Sequence, residues 1–344
     1  MAPSKERVVW ILQGAHGGDN AQARELASRL GWTALLKPLS FNILHHLPNI
    51  VLGASTASLR GQPAAQLAAP WPDLVVATGK RTAPVARWIK KQSGGRTRIV
   101  QLGRPRAPLS AFDLVVTTPQ YGLPAAENVA EALLPFATPQ RVAPAVLARW
   151  SAAWSHLPTP WIAVVVGAPR FPLRLGKAET GQLVEAASGL AAATGGSLIV
   201  LASPRTPPGL VEKIGAGLKV PAIVHPWNAV ENPYQSALTL ADRFVVTSDS
   251  ASMLGEAIGT GKPVDIFILP ASRVKFGWEA RTGLAAWLSR KGILQPPRDL
   301  PRLVREIIAR GYARPLGSEM ITKRMDGVAG DDVIARIKAM FDIS

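Results

Sequence analysis

The 344-residue chain is 47% hydrophobic and 18% charged, a balance that excludes a disordered polypeptide and gives room for two well-buried domains of ordinary size. It has no cysteine, which excludes disulfides, thiolate metal sites and thiol nucleophiles and agrees with a reducing cytoplasm. The net charge of +16 is uneven, with 17 Lys and Arg against 7 Asp and Glu in residues 1–157 and 22 against 16 in residues 158–344.

The first seven residues are followed by no long apolar core, so no signal peptide is expected, and no run of about 18 apolar residues predicts a membrane span. Val8–Leu12 reads as a buried parallel strand. The turn Gly14–Gln22 and an amphipathic helix through Ala23, Leu26, Ala27 and Leu30 follow it. Phe41–Leu52 is apolar and aromatic-tipped; it fits either a segment dipping into a bilayer interface or a buried helix covering the sheet. Further strands are predicted at Leu74–Thr78, Ile99–Leu102 and Leu114–Thr117. Between Leu74 and Phe112 there are nine bases and no acid. That field attracts a polyanion or an anionic membrane surface, or is simply solvated. Few aromatics accompany it and no nucleic-acid motif occurs, so nucleic acid is not an expected partner.

A second series begins after the Pro-containing segment 155–160, with strands at Trp161–Val166, Ser197–Leu201, Ala222–Val224, Phe244–Thr247 and Val264–Ile268. Asp331–Phe341 reads as a terminal amphipathic helix packing back across the domains. Two successive α/β patterns imply two Rossmann-like domains facing a cleft, residues 1–157 and 158–344, with ligands at the carboxyl ends of the strands. A faint echo links the halves: residues 73–79 lead into a helix over 82–91 much as residues 243–249 lead into the helix after Ser252.

The segment from Ala241 to Phe267 carries the most chemistry. It reads as strand, hydroxyl-rich turn Ser248–Ser252, helix, Gly-Lys-Pro and strand, one βαβ step. Amides at such a helix start hold anions, and the helix dipole favours negative charge. Glu256 lies one turn in, on the face of Ser252; it is one residue out of register for a capping box, whose acidic position is Gly255. A phosphate pocket with a carboxylate one turn away suits a nucleotide, and a well-capped helix is the competing reading. Arg170 and Arg205 follow strand ends, where a guanidinium either neutralises a diphosphate or lies on the surface. Trp227 either covers a ring or packs. In the first half, His16 and Asp19 are candidate general bases, although Asp19 also suits a helix N-cap and His16 a surface loop. The turn is not a Gly-x-Gly-x-x-Gly fingerprint, and no Asp-x-Asp pair, metal-spaced histidines, nucleophile elbow or Walker loop occurs.

Thr247-Ser-Asp-Ser-x-Ser-Met-x-x-Glu-Ala257 followed by Thr260-Gly-Lys-Pro263 resembles the signature of the mitochondrial fission ELM1-like family, whose bacterial members are treated as glycosyltransferases of the GT-B fold. Residues 232–234, 241–242, 203–207, Thr78-Gly79 with Arg81-Thr82, and Gln101 with Pro105-Arg106 match as well; the Gly18-Asp19…Gln22 turn departs, with Asn-Ala-Gln where the family often has Glu-Asn-Gln. The resemblance implies a nucleotide-sugar pocket in the C-terminal domain, with Ser250, Ser252 and Met253 at the diphosphate, Glu256 at the ribose and Arg205 at the leaving group. Gly167, Arg170, Ser203, Trp227, Asn232, Tyr234, Ser248 and Asp249 complete that expected donor site. Gly18, Gln22, Arg81 and Thr82 are expected on the acceptor side, with Asp19 and then His16 as catalytic base. No metal and no cofactor is expected. The implied activity is sugar transfer from a nucleotide sugar to a lipid or lipid-linked acceptor, by a cytoplasmic protein peripheral on the inner face of the inner membrane. A nucleotide-sugar epimerase and a non-enzymatic membrane-surface adaptor are the alternatives.

Overall fold

The computed structural model describes residues 6–14, 17–61, 66–169, 171–228, 230–271, 282–295, 297–323 and 330–342. They form two compact units, each built on a six-stranded, wholly parallel sheet.

The first sheet contains β1 (Val8–Gln13), β2 (Thr33–Pro38), β3 (Leu74–Thr78), β4 (Arg98–Leu102), β5 (Leu114–Thr117) and β6 (Val129–Glu131), in the order β2-β1-β3-β4-β5-β6. Its strands alternate between two cores. Val9, Ile11, Leu74, Val76 and Val100 face the Gly17–Leu30 helix through Ala23, Leu26, Ala27 and Leu30. Trp10, Leu12, Val75, Ala77 and Ile99 face the other way, toward Ala83, Val85, Ala86 and Ile89 of the Gly79–Gln92 helix. Burial on both faces explains why these strands read as continuous apolar runs. β2 is an edge strand with an exposed pattern, and β6 has three residues; neither carries such a run.

The second sheet contains β7 (Trp161–Val166), β8 (Ser197–Ala202), β9 (Ala222–His225), β10 (Arg243–Thr247), β11 (Val264–Phe267) and β12 (Arg314–Pro315), in the order β12-β11-β10-β7-β8-β9. This is the doubly wound order of dinucleotide-binding sheets, with its direction reversing between β7 and β10. In the first sheet the reversal lies between β1 and β3. The two segments that echo each other in sequence thus occupy equivalent places: β3 and β10 are each the strand across the reversal.

The units interleave along the chain. One comprises Met1–Phe136, Phe276–Asp299 and Ala329–Ser344; the other comprises Ala137–Lys275 and Leu300–Val328. The sequence expectation was a single division at 157/158. The difference before residue 157 has a physical cause in the Pro144–Trp154 helix, whose Trp154 is fully buried and donates its indole N–H to His225 Nε2 at 3.0 Å, at the end of β9. The terminal Asp331–Asp342 helix places Val333, Ile334, Ile337 and Phe341 in the core beneath β1 and β3, so it belongs to the first unit. Among the described residues no helix is long and apolar enough to cross a membrane.

Candidate functional site

In the second unit three strand ends converge at the reversal. Thr247, last in β10, accepts the Gly167 amide on its hydroxyl at 2.8 Å and so ties the ends of β7 and β10 together. After β8, the Thr206 hydroxyl donates to Val166 O at 2.8 Å and accepts the Ser203 amide at 2.7 Å. Ser203 Oγ in turn accepts the Arg205 amide at 3.3 Å. Ser203 therefore shapes the loop that carries Arg205, and Thr206 locks that loop to β7. Ser248 has a similar task, accepting the Leu269 amide at 2.9 Å.

Asp249 points straight at Gly167. A Cβ built on that glycine would lie 2.2 Å from one carboxylate oxygen, so only glycine admits the side chain in this place. Neither oxygen meets a donor in hydrogen-bonding geometry among the described residues. Burial pushes the Asp249 pKa above its ordinary value, opposed by the nearby Thr247 hydroxyl, the Asp249 and Ala168 amides and the Arg205 charge. The result is a buried carboxyl with a raised pKa at the mouth of a helix.

That helix runs from Ala251 to Gly259 with Ser250 as its N-cap, and the Ser250 side chain makes no capping bond. Ser250 Oγ and Ser252 Oγ lie 3.3 Å apart, while Met253 is buried. Ser248, Asp249, Ser250, Ser252 and Met253 therefore share one turn, as expected. Glu256 is engaged differently from a simple open carboxylate. The Tyr234 hydroxyl donates to its Oε2 at 2.6 Å, and Asn232 sets up that contact by accepting the Tyr234 amide at 2.8 Å. Burial raises the pKa of both: Glu256 against the bonds from Tyr234 and Gln235, Tyr234 with further help from the Glu256 charge. Trp227 stands 42% exposed. Arg170 and His16 lie outside the described residues.

The first unit has its own concavity at its own reversal, enclosing about 390 Å³. Gly14, Asp19 and Asn20 line one side, and Thr78, Gly79, Lys80, Arg81 and Thr82, where β3 turns into its helix, line another. Arg104, Arg106, Tyr121 and Arg298 close it. Asp19 is not an N-cap: the helix already begins at Gly17, and Asn20 holds the turn instead, accepting the Gly14 amide at 2.9 Å and donating to its carbonyl at 2.8 Å. Asp19, Arg81 and Thr82 thus share this pocket, whereas Gly18 and Gln22 are not among its lining residues. Sequence reasoning missed Lys80, Arg104, Arg106, Tyr121 and Arg298 as a group. The nine-base stretch was the available signal, but its convergence depends on strand order. Among the described residues no three His, Asp or Glu side chains gather as a metal site.

The Mitochondrial fission ELM1 family model matches residues 17–295, most of the chain. The chain belongs to this family. It is 31% identical over 230 residues to the Mitochondrial fission protein ELM1 of Arabidopsis thaliana, covering 60% of this chain and 53% of that protein. It is 27% identical over 109 residues to the Uncharacterized protein RP120 of Rickettsia prowazekii, covering 31% and 30% of the two. The chain thus spans about half the length of the first of these relatives and less than a third of the second. Among solved structures it resembles a Listeria monocytogenes protein assigned as a UDP-N-acetylglucosamine 2-epimerase, with TM-score 0.50 and 14% identity over 98% of each chain. Staphylococcus aureus MnaA, solved with UDP, resembles it at TM-score 0.50 and 13% identity, again over 98% of each. These likenesses establish the twin Rossmann-like architecture of the GT-B type for this member of the ELM1 family.

Proposed function

We propose that this ELM1-family chain is a glycosyltransferase that takes a sugar from a nucleotide-sugar donor and passes it to a lipid or lipid-linked acceptor at an anionic membrane surface. The observation that carries the reading is the turn at the reversal of the second sheet. An uncapped helix start and Arg205 on a locked loop converge there, beside the buried Asp249. Helix amides and a guanidinium stabilise the negative charge that grows on a departing diphosphate, which is the main electrostatic demand of the reaction. Glu256, oriented by Tyr234, is placed to accept ribose hydroxyls, and Trp227 to stack on the base. No metal or cofactor enters the scheme.

Chemistry at the acceptor falls to Asp19, in the first unit's pocket. As general base it takes the acceptor hydroxyl proton while the oxygen attacks the sugar carbon and the nucleoside diphosphate leaves. The membrane part of the reading rests on Ile43, Leu44, Leu47, Ile50 and Val51, which are exposed on the first unit beside its basic surface. Apolar side chains with flanking bases suit an anionic interface, and a cytoplasmic protein would meet one on the inner face of the inner membrane.

Calorimetry with UDP and UDP-sugars tests the donor site, UDP being the nucleotide held by S. aureus MnaA. Binding is expected, with loss in Glu256→Ala; unchanged binding in that variant would remove the ribose assignment. Incubating a bound UDP-sugar without acceptor must return it unaltered, since an isomer would make the protein an epimerase. Vesicle binding without any nucleotide binding would make it an adaptor.

A further inference from the structure

The pocket of the first unit is lined by five bases and one acid, Asp19. Like charges brought together repel, and Lys80 and Arg104 have been moved partly out of water as well. Arg104 is pushed down to about 10, mainly by burial, with Tyr121 opposing and Arg106 and Arg298 adding to the fall. Lys80 is lowered by burial, then by Arg106 and Arg81. The field reaches the exposed His46, held below its ordinary pKa by His45 first, then by slight desolvation, Lys80 and Arg81. Arg106 itself sits at φ 52°, left-handed backbone that a non-glycine residue adopts only at a cost.

Other groups at the pocket also look toward an anion. The 14-residue Gly79–Gln92 helix starts at its wall, and its N-cap Thr78 makes no capping bond. Thr78 Oγ1 is buried without a hydrogen-bond partner among the described residues, so its proton has no protein acceptor. Asn49, 2% exposed, donates to Lys80 O at 2.7 Å and Pro105 O at 2.6 Å, clamping two walls of the pocket to the Asn49–Leu52 turn. The exposed Ile50 and Val51 come next in the chain. A concentrated anion site is therefore anchored directly to the unit's exposed apolar edge.

We infer that this pocket binds the phosphate or diphosphate end of the acceptor, so that the acceptor is a phosphorylated compound whose apolar remainder runs out past Ile50 and Val51. The inference rests on the acceptor reading above and names the substrate class for it. Lys80, Arg81, Arg104, Arg106 and Arg298 surround the phosphate oxygens, the first amides of the Gly79–Gln92 helix and the Thr78 hydroxyl complete the cradle, and Asp19 remains beside the acceptor hydroxyl.

The test is calorimetry of the full chain with inorganic pyrophosphate, run on wild type, on Lys80→Gln/Arg106→Gln, and on Lys213→Gln/Lys219→Gln, a pair of exposed lysines in the second unit. UDP is present at saturating concentration so that pyrophosphate reports on the first unit. The pocket variant should bind pyrophosphate roughly tenfold more weakly or worse, and the control pair should match wild type. Equal affinity in the pocket variant and wild type, or an equal loss in the control pair, overturns the proposal. If the double variant does not fold, Lys80→Gln alone is read the same way. A second arm compares phosphatidylcholine vesicles carrying phosphatidic acid with vesicles carrying phosphatidylserine at the same charge. A preference for phosphatidic acid that the pocket variant loses makes the source a lipid phosphate, and pyrophosphate binding without that preference makes it a free phosphate ester. UDP binding that fails while pyrophosphate binding persists sinks the donor reading and leaves this site standing.

Discussion

Replacing Asp249 with asparagine keeps the shape of the side chain and removes its charge. In the native protein the carboxylate is buried against Gly167, its oxygens meet no donor in bonding geometry among the described residues, and its pKa is raised by that burial. A buried polar group left unsatisfied costs about 1–3 kcal/mol, and a charged one more. An amide of the same size escapes the charged part, so Asp249→Asn should stabilise the second unit by about 1–2 kcal/mol at neutral pH. The direction with pH follows from proton linkage. Because the folded pKa is raised, the folded state keeps a proton that the unfolded chain has already released. Wild-type stability is therefore full below the ordinary carboxylate range and falls as pH rises through the folded value. The variant has no such loss, so the two stability curves should run together in acid and separate as pH increases. Amide hydrogen exchange of β7 and β10 over a pH series reads the second unit alone. Parallel curves, or a variant less stable than wild type at neutral pH, would refute the argument.

Four further outcomes are expected. Tyr234→Phe removes the donor to Glu256 and should cost the second unit about 1.5–3 kcal/mol, with weaker UDP binding in the same calorimetric series. Asp265→Ala strips a 1% exposed carboxylate from Arg243 and Arg314, which bond it at 2.9 and 2.8 Å, and should cost about 3–5 kcal/mol in urea unfolding. Gly330→Ala combines a φ of 87° with a Cβ 2.6 Å from Phe136, so the first unit should lose about 1–3 kcal/mol by hydrogen exchange in β1 and β3. Ile43→Ser/Ile50→Ser/Val51→Ser should reduce sedimentation with anionic vesicles while leaving the melting temperature unchanged, because these side chains are already 76%, 52% and 67% exposed.

The strands with apolar runs were legible because a parallel strand buried on both faces needs such a run, and β1, β3, β4, β5, β7, β8 and β10 have one. β2 escaped because Thr33–Pro38 is an exposed edge, and β12 because two residues carry no pattern. The Ser248–Glu256 turn was legible because helix-start chemistry is local. What the sequence could not convey was pairing across distance: Tyr234 with Glu256, Asp249 with Gly167, or Arg298 with Lys80 around one pocket. The same holds for Asn49, an unremarked residue in an apolar stretch that turns out to fasten two pocket walls. Asp19 lines the pocket without capping the helix, and the turn is held by Asn20, which bridges back to Gly14.

The terminal helix has a consequence for how the protein is made. The core under β1 and β3 takes Val333, Ile334, Ile337 and Phe341 from the far end of the chain, and Arg7 bonds the Phe341 carbonyl at 2.9 Å across 334 positions. The second unit draws on nothing beyond Val328. On the ribosome the first sheet emerges early but must wait with one apolar face only partly covered by the Gly17–Leu30 helix, while the second unit can close as soon as its last segment is released. The order of completion is thus the reverse of the order of synthesis, and the nascent first unit is where a chaperone would find apolar surface to hold.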